Sequence, residues 1–341
     1  MRSALLAASA ALALIATAGL SAPRVPDPMR VAGHTDLPGY AGDFDHFAAD
    51  PADNRLFLAG EDGGALEVFN LKTGALLKTV PGFEAPHSLI LLPDTHELVV
   101  VAGGGSRVLD ARTLAVKRRL ALAPGADSLG YDAARRRAYV VTGGKDVNLK
   151  TSALVEIDPY TGKSFGQIAF DGDHTEALAI EAHGDRIFIN QTDKNRLDVV
   201  DKRTHAIKAR WPVTAAEQNA PIAYDEATRR LFVVTRKPGK LLILDADTGK
   251  TVQAFDAPAR VDEVAWDPAG RRVFVCGGDG RLMVVEQDDA NRYRALAPVA
   301  TPPAAKTCVY VPQLHRLYLA ASPGETKSMA QLVWVDVPPR R

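Results

Sequence analysis

Residues Asp43–Gly60 read DFDHFAADPADNRLFLAG: two polar residues near the start, a short apolar run, an Asp-Pro turn that leads to Arg55, and a second apolar run. Similar stretches recur along the chain. The clearest are ADSLGYDAARRRAYVVTGG from Ala126, NAPIAYDEATRRLFVVTR from Asn219 and VDEVAWDPAGRRVFVCGG from Val261. Weaker copies begin at Pro86, Glu176 and Lys306. The chain therefore carries seven copies of one unit.

The spacing of the copies predicts the fold. We use as an anchor the residue that starts the second apolar run, and successive anchors are 42, 40, 49, 44, 42 and 44 residues apart. A repeat of about 40–45 residues with four short strands is typical of β-propeller blades. The sequence thus predicts an all-β, seven-bladed propeller of four-stranded antiparallel blades. The anchors are Arg55, Glu97, Arg137, Arg186, Arg230, Arg272 and Arg316.

A second sequence motif, a turn, recurs at the same position in the repeat. An Asx-x-x-Thr turn follows each of the first five anchors, and three of these turns continue with Gly, as a tight hairpin with a positive φ requires. We name the strands of each blade A to D from the channel outward. In the first blade they are expected near Phe44–Ala49, Arg55–Ala59, Ala65–Phe69 and Ala75–Val80.

Composition and the first residues predict an exported protein. The 41 basic and 41 acidic residues balance, which argues against nucleic acid as the main partner. Residues 1–18 have the basic start, apolar run and Ala-Thr-Ala cleavage site of a signal peptide, and residues 19–28 form a Pro-rich tether. We expect a periplasmic protein with no membrane span, since a membrane anchor would need a longer apolar run. Residues 29–341 are expected to form one propeller.

The two ends of the propeller are predicted to pair. The last repeat stops after its third strand, Gln331–Val337, whereas Met29–Gly39 looks like a strand that belongs to no blade. Pairing these segments would close the ring and leave no sheet edge exposed.

Other features leave alternatives open. Cys276 and Cys308 fall near one face of adjacent blades, so they form either a disulfide or two buried thiols. The three Trp residues are expected to pack within the blades. Residues 143–152 and 322–330 lengthen two loops above the channel. The extra residues either have a function or are evolutionary drift that the fold tolerates. No common catalytic or haem motif is present.

The candidate site follows from the repeat register. Strand A lines the channel, so the residues ten and nine positions before each anchor should meet at its mouth. These positions are mostly ionisable or polar, which predicts a ligand-binding site there. Its candidate residues are Asp45, His46, His87, Asp127, Glu176, Asp262, Glu263 and Lys306, together with Asn219, which sits beside Ala220, the apolar member of the first set.

The acids of this set predict a cation, although two alternatives remain. Two carboxylates about 8 Å apart repel by roughly 2 kcal/mol at an effective dielectric constant near 20. They therefore need a bound cation, raised pKa values or a well-hydrated channel. A divalent ion on Asp127, Glu176 and Asp262 is the specific hypothesis: Ca²⁺ or Mg²⁺ with oxygen ligands, Zn²⁺ or Mn²⁺ if a His also binds. No other cofactor is expected.

One motif resembles a known family. Tyr139–Gly144 reads YVVTGG and is followed by Asp158–Lys163, DPYTGK, and the fifth blade has a similar pair. This pattern resembles the YVTN family of seven-bladed propeller repeats over about residues 29–337, although the second, fourth and seventh copies depart from it. The resemblance implies an exported bacterial protein. Structural relatives of the family include lactone hydrolases and a lyase.

Two functions are compatible with these observations. The first is a non-catalytic, monomeric periplasmic propeller that binds a small-molecule ligand, an ion or a periplasmic protein at the channel mouth. The alternative is a metal-assisted hydrolase or lyase that acts on a lactone or cyclic ester at the same face, with His46, His87 or His174 as general base.

Overall fold

Seven antiparallel sheets form a closed ring. The structure, a computed structural model, describes residues 29–324 and 328–340. The innermost strands of neighbouring sheets contact one another all the way round, and the last sheet also contacts the first. The described residues therefore form the seven-bladed propeller that the repeats predict. Residues 1–18 and 19–28, the expected signal peptide and tether, lie outside the described residues.

The first four blades each contain four strands in sequence order, from the channel outward. Their strands are β2 Phe47–Asp50, β3 Arg55–Gly60, β4 Ala65–Asn70 and β5 Leu76–Pro81; β6 Pro86–Leu92, β7 Glu97–Ala102, β8 Arg107–Asp110 and β9 Val116–Arg119; β10 Leu129–Asp132, β11 Arg137–Gly143, β12 Ser152–Ile157 and β13 Ser164–Ala169; β14 Thr175–Ile180, β15 Arg186–Gln191, β16 Arg196–Asp201 and β17 Ala206–Pro212.

The remaining three blades include one short extra strand, in blade 6. Their strands are β18 Glu217–Asp225, β19 Arg230–Lys237, β20 Gly239–Asp245 and β21 Thr251–Asp256; β22 Val261–Asp267, β23 Arg272–Gly277, β24 Arg281–Asp289, β25 Arg292–Ala295 and β26 Val299–Ala300; β27 Thr307–Val311, β28 Arg316–Ala321, β29 Ala330–Asp336 and β1 Val31–Leu37. Single turns of 3₁₀ helix cover Lys145–Val147, Thr192–Lys194 and Pro312–Leu314.

The core lies in the seams between blades. Strands such as β7 and β23 are buried along their whole length because a neighbouring sheet covers each face. The outermost strands β5 and β9 are largely exposed and carry Lys and Arg. Each seam is filled by its own cluster of Val, Leu, Ile and Phe, and burial of this apolar surface is the main force that holds the blades together.

The predicted ring closure is confirmed. Strand β1 pairs antiparallel with β29 and forms the outer strand of blade 7, from Val31 opposite Val335 to Leu37 opposite Ala330. Thr35 also donates a hydrogen bond of 2.8 Å to the carbonyl oxygen of Gly74 in blade 1. The N-terminal strand thus completes the last blade and contacts the first.

The two cysteines form a disulfide between blades 6 and 7. Cys276 lies in β23 and Cys308 in β27, and their Cα atoms are 6.4 Å apart. Of the two possibilities that the sequence left open, the structure has the bridge.

The turns between strands C and D follow the predicted pattern. In blade 5 the Asp245 carboxylate accepts hydrogen bonds from the backbone of Asp247 and Thr248, and Gly249 has a φ of 70°. A Cβ atom at Gly249 would lie 2.3 Å from the ring of Trp211 in blade 4, so the turn requires glycine. All three tryptophans pack on neighbouring residues of the blades: Trp211 on Phe188, Trp266 on Phe232 and Trp334 on Tyr318.

In the part of the chain described, no helix has the length and apolar character needed to cross a bilayer.

Candidate functional site

The predicted site lies at one end of the channel. Strand A of each blade starts at this end, and a cavity of about 760 Å³ opens there. Seven of the nine candidate residues line this cavity. They are Asp45, His46, His87, Asp127, Glu176, Asp262 and Lys306.

The other two candidates lie elsewhere. Glu263 lines a second space of about 330 Å³ next to the first, which it shares with His46. Asn219 is fully buried and does not line either space; its side chain donates to Asn190 at 2.6 Å and to the carbonyl oxygen of Arg196 at 2.9 Å. Asn219 lies eleven positions before its anchor, not ten or nine, so its side chain lies in the seam with blade 4. The equivalent residues of blades 2, 4 and 6 are buried as well; they are Pro86, Thr175 and Val261.

Three blades contribute to a chain of alternating charges. Nδ1 of His46 forms a hydrogen bond of 2.8 Å with Glu263, and Nε2 lies 3.2 Å from Asp45, so both ring nitrogens are close to carboxylates. Asp45 also accepts a hydrogen bond of 2.8 Å from Nδ1 of His87. Two more carboxylate oxygens lie close to that nitrogen, Asp127 Oδ1 at 3.8 Å and Glu61 Oε1 at 3.9 Å.

The pKa values of Asp45 and the two histidines favour their charged forms. Burial opposes ionisation of Asp45, but the positive charges of His46 and His87 outweigh it and lower the pKa of the carboxyl to about 2. Burial also disfavours the charged histidines. The hydrogen bond to Asp45 nevertheless raises the pKa of His87 to about 9, and Asp45 with Glu263 raises the pKa of His46 well above its usual value. This group is therefore a set of ion pairs at neutral pH.

Asp127 and Glu61 have the opposite environment. Burial is the largest cause that raises the pKa of each carboxyl to about 7; the charge of Asp45 adds to both, and that of Glu176 adds to Asp127. No cation of the described residues lies within 3.5 Å of either carboxylate, since His87 is 3.8–3.9 Å away. Both carboxyls are thus partly protonated at pH 7 and lack a close partner.

Arg236 balances the acids on the other side of the cavity. Its guanidinium donates to Glu176 at 3.2 Å and forms a short ion pair with Asp262. Lys306 binds Asp262 and lies 2.8 Å from Asp43. Burial opposes ionisation of Glu176, but His174 and Arg236 lower the pKa of this carboxyl. Glu176 and Asp262 are therefore paired with cations of the chain itself.

Sequence reasoning from strand A missed Arg236 and Glu61, although a signal for them exists. Both lie six positions after an anchor, where strand B ends at the channel mouth. The same count gives Ser322 in blade 7, which donates to Asp43. The long loop of blade 3 also reaches the site, because Lys145 and Asp146 line the cavity. In the long loop of blade 7, residues 325–327 lie outside the described part.

The structure places a possible metal site on other residues than those predicted. Ligand atoms of Asp45, Glu61 and His87 lie within 4.8 Å of one another and can hold a divalent ion. The predicted set Asp127, Glu176 and Asp262 is not among such groups in the described residues, and Arg236 lies between Glu176 and Asp262. Two of the three predicted carboxylates, Glu176 and Asp262, are thus separated by a side-chain cation.

Fold and site together define the class of protein: a seven-bladed β-propeller with an ionised channel mouth. Its sequence is similar to that of "Uncharacterized protein YncE" from Salmonella typhi, with 28% identity over 98 residues, which cover 29% of this chain and 27% of the relative. The YncE protein of Salmonella typhimurium (strain LT2) is 26% identical over 98 residues, with the same shares. The matched segment therefore spans only 27% of the length of these relatives. No protein-family model matches the chain.

Two solved structures share the fold over nearly the whole chain. A chain of the "Crystal Structure of Mitotic Checkpoint Complex" has a TM-score of 0.72 at 17% identity and covers 95% of this chain and 99% of its own length. A chain of "Kuenenia stuttgartiensis Hydrazine Synthase" has a TM-score of 0.74 at 15% identity, with coverage of 90% and 97%. At such low identity these similarities show the fold alone. The predicted seven-bladed fold is confirmed, and membership of the YVTN family remains a prediction.

Proposed function

We propose that the protein is an exported, periplasmic propeller that binds a small polar ligand with a cationic group at the mouth of its channel. The cavity of about 760 Å³ has the size of a small-molecule site, which is commonly about 300–1,000 Å³. Most such sites are lined by apolar side chains, whereas this one is lined largely by ionisable ones. A charged ligand fits this lining better than an apolar one.

The observation that carries the proposal is the state of Asp127 and Glu61. Both carboxylates face the cavity, and both lack a cation at hydrogen-bond distance among the described residues. A carboxylate that is partly buried without a partner gains from an incoming ammonium or similar group, because this removes the mutual repulsion of the acids. Arg236 and Lys306 already have carboxylate partners, so they offer less to an anion.

A binding experiment tests this directly. Calorimetric titration of the purified chain with 1,4-diaminobutane should give binding, and titration with succinate, a dicarboxylate of similar length, should not. The double change Asp127→Asn with Glu61→Gln should weaken amine binding at least tenfold. Asp146→Asn is the matched control, because Asp146 is an exposed acid that lines the same cavity. Equal amine affinity in the double variant and the wild type would refute the proposal.

The pKa values give the binding a defined pH dependence. Below pH 7 the carboxyls of Asp127 and Glu61 take up protons and cannot pair with an amine, and above pH 7 they are ionised. Amine affinity should therefore rise about tenfold between pH 6 and pH 8, as expected for one group with a pKa near 7. Calorimetry at these two pH values measures the change, and affinity that falls over this range would contradict it.

A second function is favoured by one observation, the approach of Asp45, Glu61 and His87 within 4.8 Å. A divalent ion there could polarise the carbonyl of a lactone or cyclic ester, as the hydrolase or lyase hypothesis requires. Metal analysis of the purified chain, followed by assays on a panel of lactones, tests this alternative. Turnover that Glu61→Gln abolishes would favour the enzyme.

A further inference from the structure

A second cluster of possible metal ligands lies at the other face of the propeller, in the seam between blades 1 and 2. Ligand atoms of Asp50, Asp53 and His96 lie within 4.8 Å of one another. Asp50 ends strand β2, Asp53 lies in the turn after it, and His96 occupies the equivalent turn of blade 2. Strand A runs from the channel mouth towards these turns, so this cluster is separate from the mouth cavity.

The Asp50 carboxylate is buried and only half satisfied. Its side chain is 1% exposed, and Oδ1 accepts hydrogen bonds of 3.1 Å from the backbone of Ala52 and of Asp53. Oδ2 is buried and has no hydrogen-bond partner in the described part of the chain. A buried carboxylate oxygen without a partner is costly, and such oxygens in folded proteins usually meet a donor or a metal.

Two other blades have a hydrogen-bond donor at this position. Asp132 ends strand A of blade 3, and its Oδ2 accepts a hydrogen bond of 2.6 Å from the ammonium of Lys202 in blade 4. Asp225 does the same in blade 5, where Oδ2 accepts a hydrogen bond of 2.8 Å from the amide of Gln287 in blade 6. In both cases the donor belongs to the next blade around the ring.

Blade 2 supplies no such donor to Asp50. Lys202 in blade 4 and Gln287 in blade 6 hold equivalent positions. Each directly follows the residue of strand C that pairs with the anchor of its blade. The equivalent residue of blade 2 is Ala111, which follows Asp110 opposite Glu97. The methyl group of Ala111 cannot donate a hydrogen bond. Oδ2 of Asp50 therefore has no counterpart of the donors Lys202 and Gln287.

The neighbours of Asp50 Oδ2 are metal ligands instead. Nδ1 of His96 lies 4.0 Å from Oδ2 of Asp50 and 3.9 Å from Oδ2 of Asp53, too far for hydrogen bonds. Ligand atoms around a tetrahedral zinc ion with bonds of about 2.1 Å lie about 3.4 Å apart, so inward shifts of roughly half an ångström by the partly exposed Asp53 and His96 side chains would let one ion reach all three atoms. Arg112 donates to both oxygens of Asp53, at 3.1–3.3 Å, and Oδ2 is one of them. The Arg112 side chain is mostly exposed and can move aside, and each carboxylate oxygen has two lone pairs.

We propose that Asp50, Asp53 and His96 bind a divalent transition-metal ion of the zinc type that joins blades 1 and 2. One imidazole nitrogen and two carboxylate oxygens form a ligand set that zinc accepts, and water can supply the fourth ligand. The His96 side chain is 46% exposed, which gives the ion a path from solvent. The ion takes the place that Lys202 fills in blade 4 and Gln287 in blade 6.

The test is zinc titration of the purified chain, without an affinity tag and after treatment with a chelator. The wild type should bind one zinc equivalent that both His96→Asn and Asp50→Asn remove or weaken at least tenfold. Asp50→Asn keeps the oxygen that caps the turn, and asparagine tolerates the left-handed backbone of His96, where φ is 49°. Zinc should also raise the melting temperature of the wild type, and this rise should vanish in both variants.

A matched control and a second variant make the result specific. His315 occupies the same left-handed turn position in blade 7, with a φ of 47° and an exposed side chain, so His315→Asn should leave zinc binding unchanged. Glu61→Gln removes one ligand of the cluster at the channel mouth. An equivalent that persists in His96→Asn but is lost in Glu61→Gln belongs to the mouth and overturns the proposal, as does zinc binding that none of these changes affects.

Discussion

The seams between blades and the mouth of the channel hold charged side chains in different ways. In the seam of blades 3 and 4, Lys202 and Asp132 pair at 2.6 Å, and both side chains are 1% exposed. Lys202 also donates to the carbonyl oxygen of Glu181 at 2.7 Å. Each charge in this seam therefore has a partner with good geometry.

At the mouth, the acids outnumber the close partners. Three carboxylates, those of Asp45, Asp127 and Glu61, lie around the same nitrogen of His87, and only Asp45 is within hydrogen-bond distance. The side chains of Asp127 and Glu61 are 36% and 31% exposed. The difference indicates that the charges in the seam of blades 3 and 4 stabilise the ring, whereas the mouth retains charges that an outside group can use.

Removal of the closing strand should have the largest effect on the ring. Deletion of residues 29–39 uncovers the edge of β29, so we expect the free energy of unfolding to fall by more than about 4 kcal/mol, beyond the range of ordinary point substitutions. Thermal unfolding followed by circular dichroism measures this change. Deletion of residues 19–28 is the control and should leave the melting temperature unchanged. A ring that melts normally without β1 would show that closure contributes little.

Loss of the disulfide should have the second-largest destabilising effect. Replacement of both Cys276 and Cys308 by Ala opens a loop of 32 residues, which in the chain-entropy description costs about 4 kcal/mol. Denaturant unfolding of this double variant against the wild type tests the value. Thiol labelling of the denatured, unreduced wild type should find no free thiol in Cys276 or Cys308. Two labelled thiols would contradict the bridge between blades 6 and 7.

Removal of the two unpaired carboxyls at the mouth should have the smallest effect on the free energy of unfolding, and it should raise this free energy. The raised pKa values of Asp127 and Glu61 mean that these carboxyls favour folding when protonated, and that this contribution is lost as pH rises from about 4 through about 7. At pH 8 the change Asp127→Asn with Glu61→Gln should therefore stabilise the folded chain, by about 1 kcal/mol once solvent screening is considered. At pH 4 the gain should disappear.

Melting curves of the double variant and the wild type at both pH values measure this difference. The same substitutions should leave unfolding as cooperative as before. A marked loss of stability at pH 8 would mean that the two carboxylates hold the ring together, and the distinction between seam and mouth would fail.

The fold was predictable because one pattern is repeated. The step of about 40–45 residues and the phase of the turns define seven blades, and the incomplete last repeat predicts its partner at the N-terminus. Seven of the nine candidate residues line the mouth because the register of strand A places them there. The position of a residue within its repeat thus predicts where its side chain lies in the ring.

The remaining features depend on contacts that the repeat does not encode. Arg236 comes from a different strand than the other candidates, so the charge balance of the mouth was misjudged without it. The disulfide required the distance between two blades, which spacing along the chain does not provide.

The pairing of β1 with β29 also determines when the protein can be completed. Leu37 pairs with Ala330, so the first strand of the ring pairs with residues that are synthesised much later in the chain. At about 5–20 residues per second, roughly 300 residues take about 15–60 s to make. During that time β1 is without its partner, and six blades can form in order before the seventh. The ring therefore cannot close before β29 is present, and a chain truncated before Ala330 would lack the closed ring.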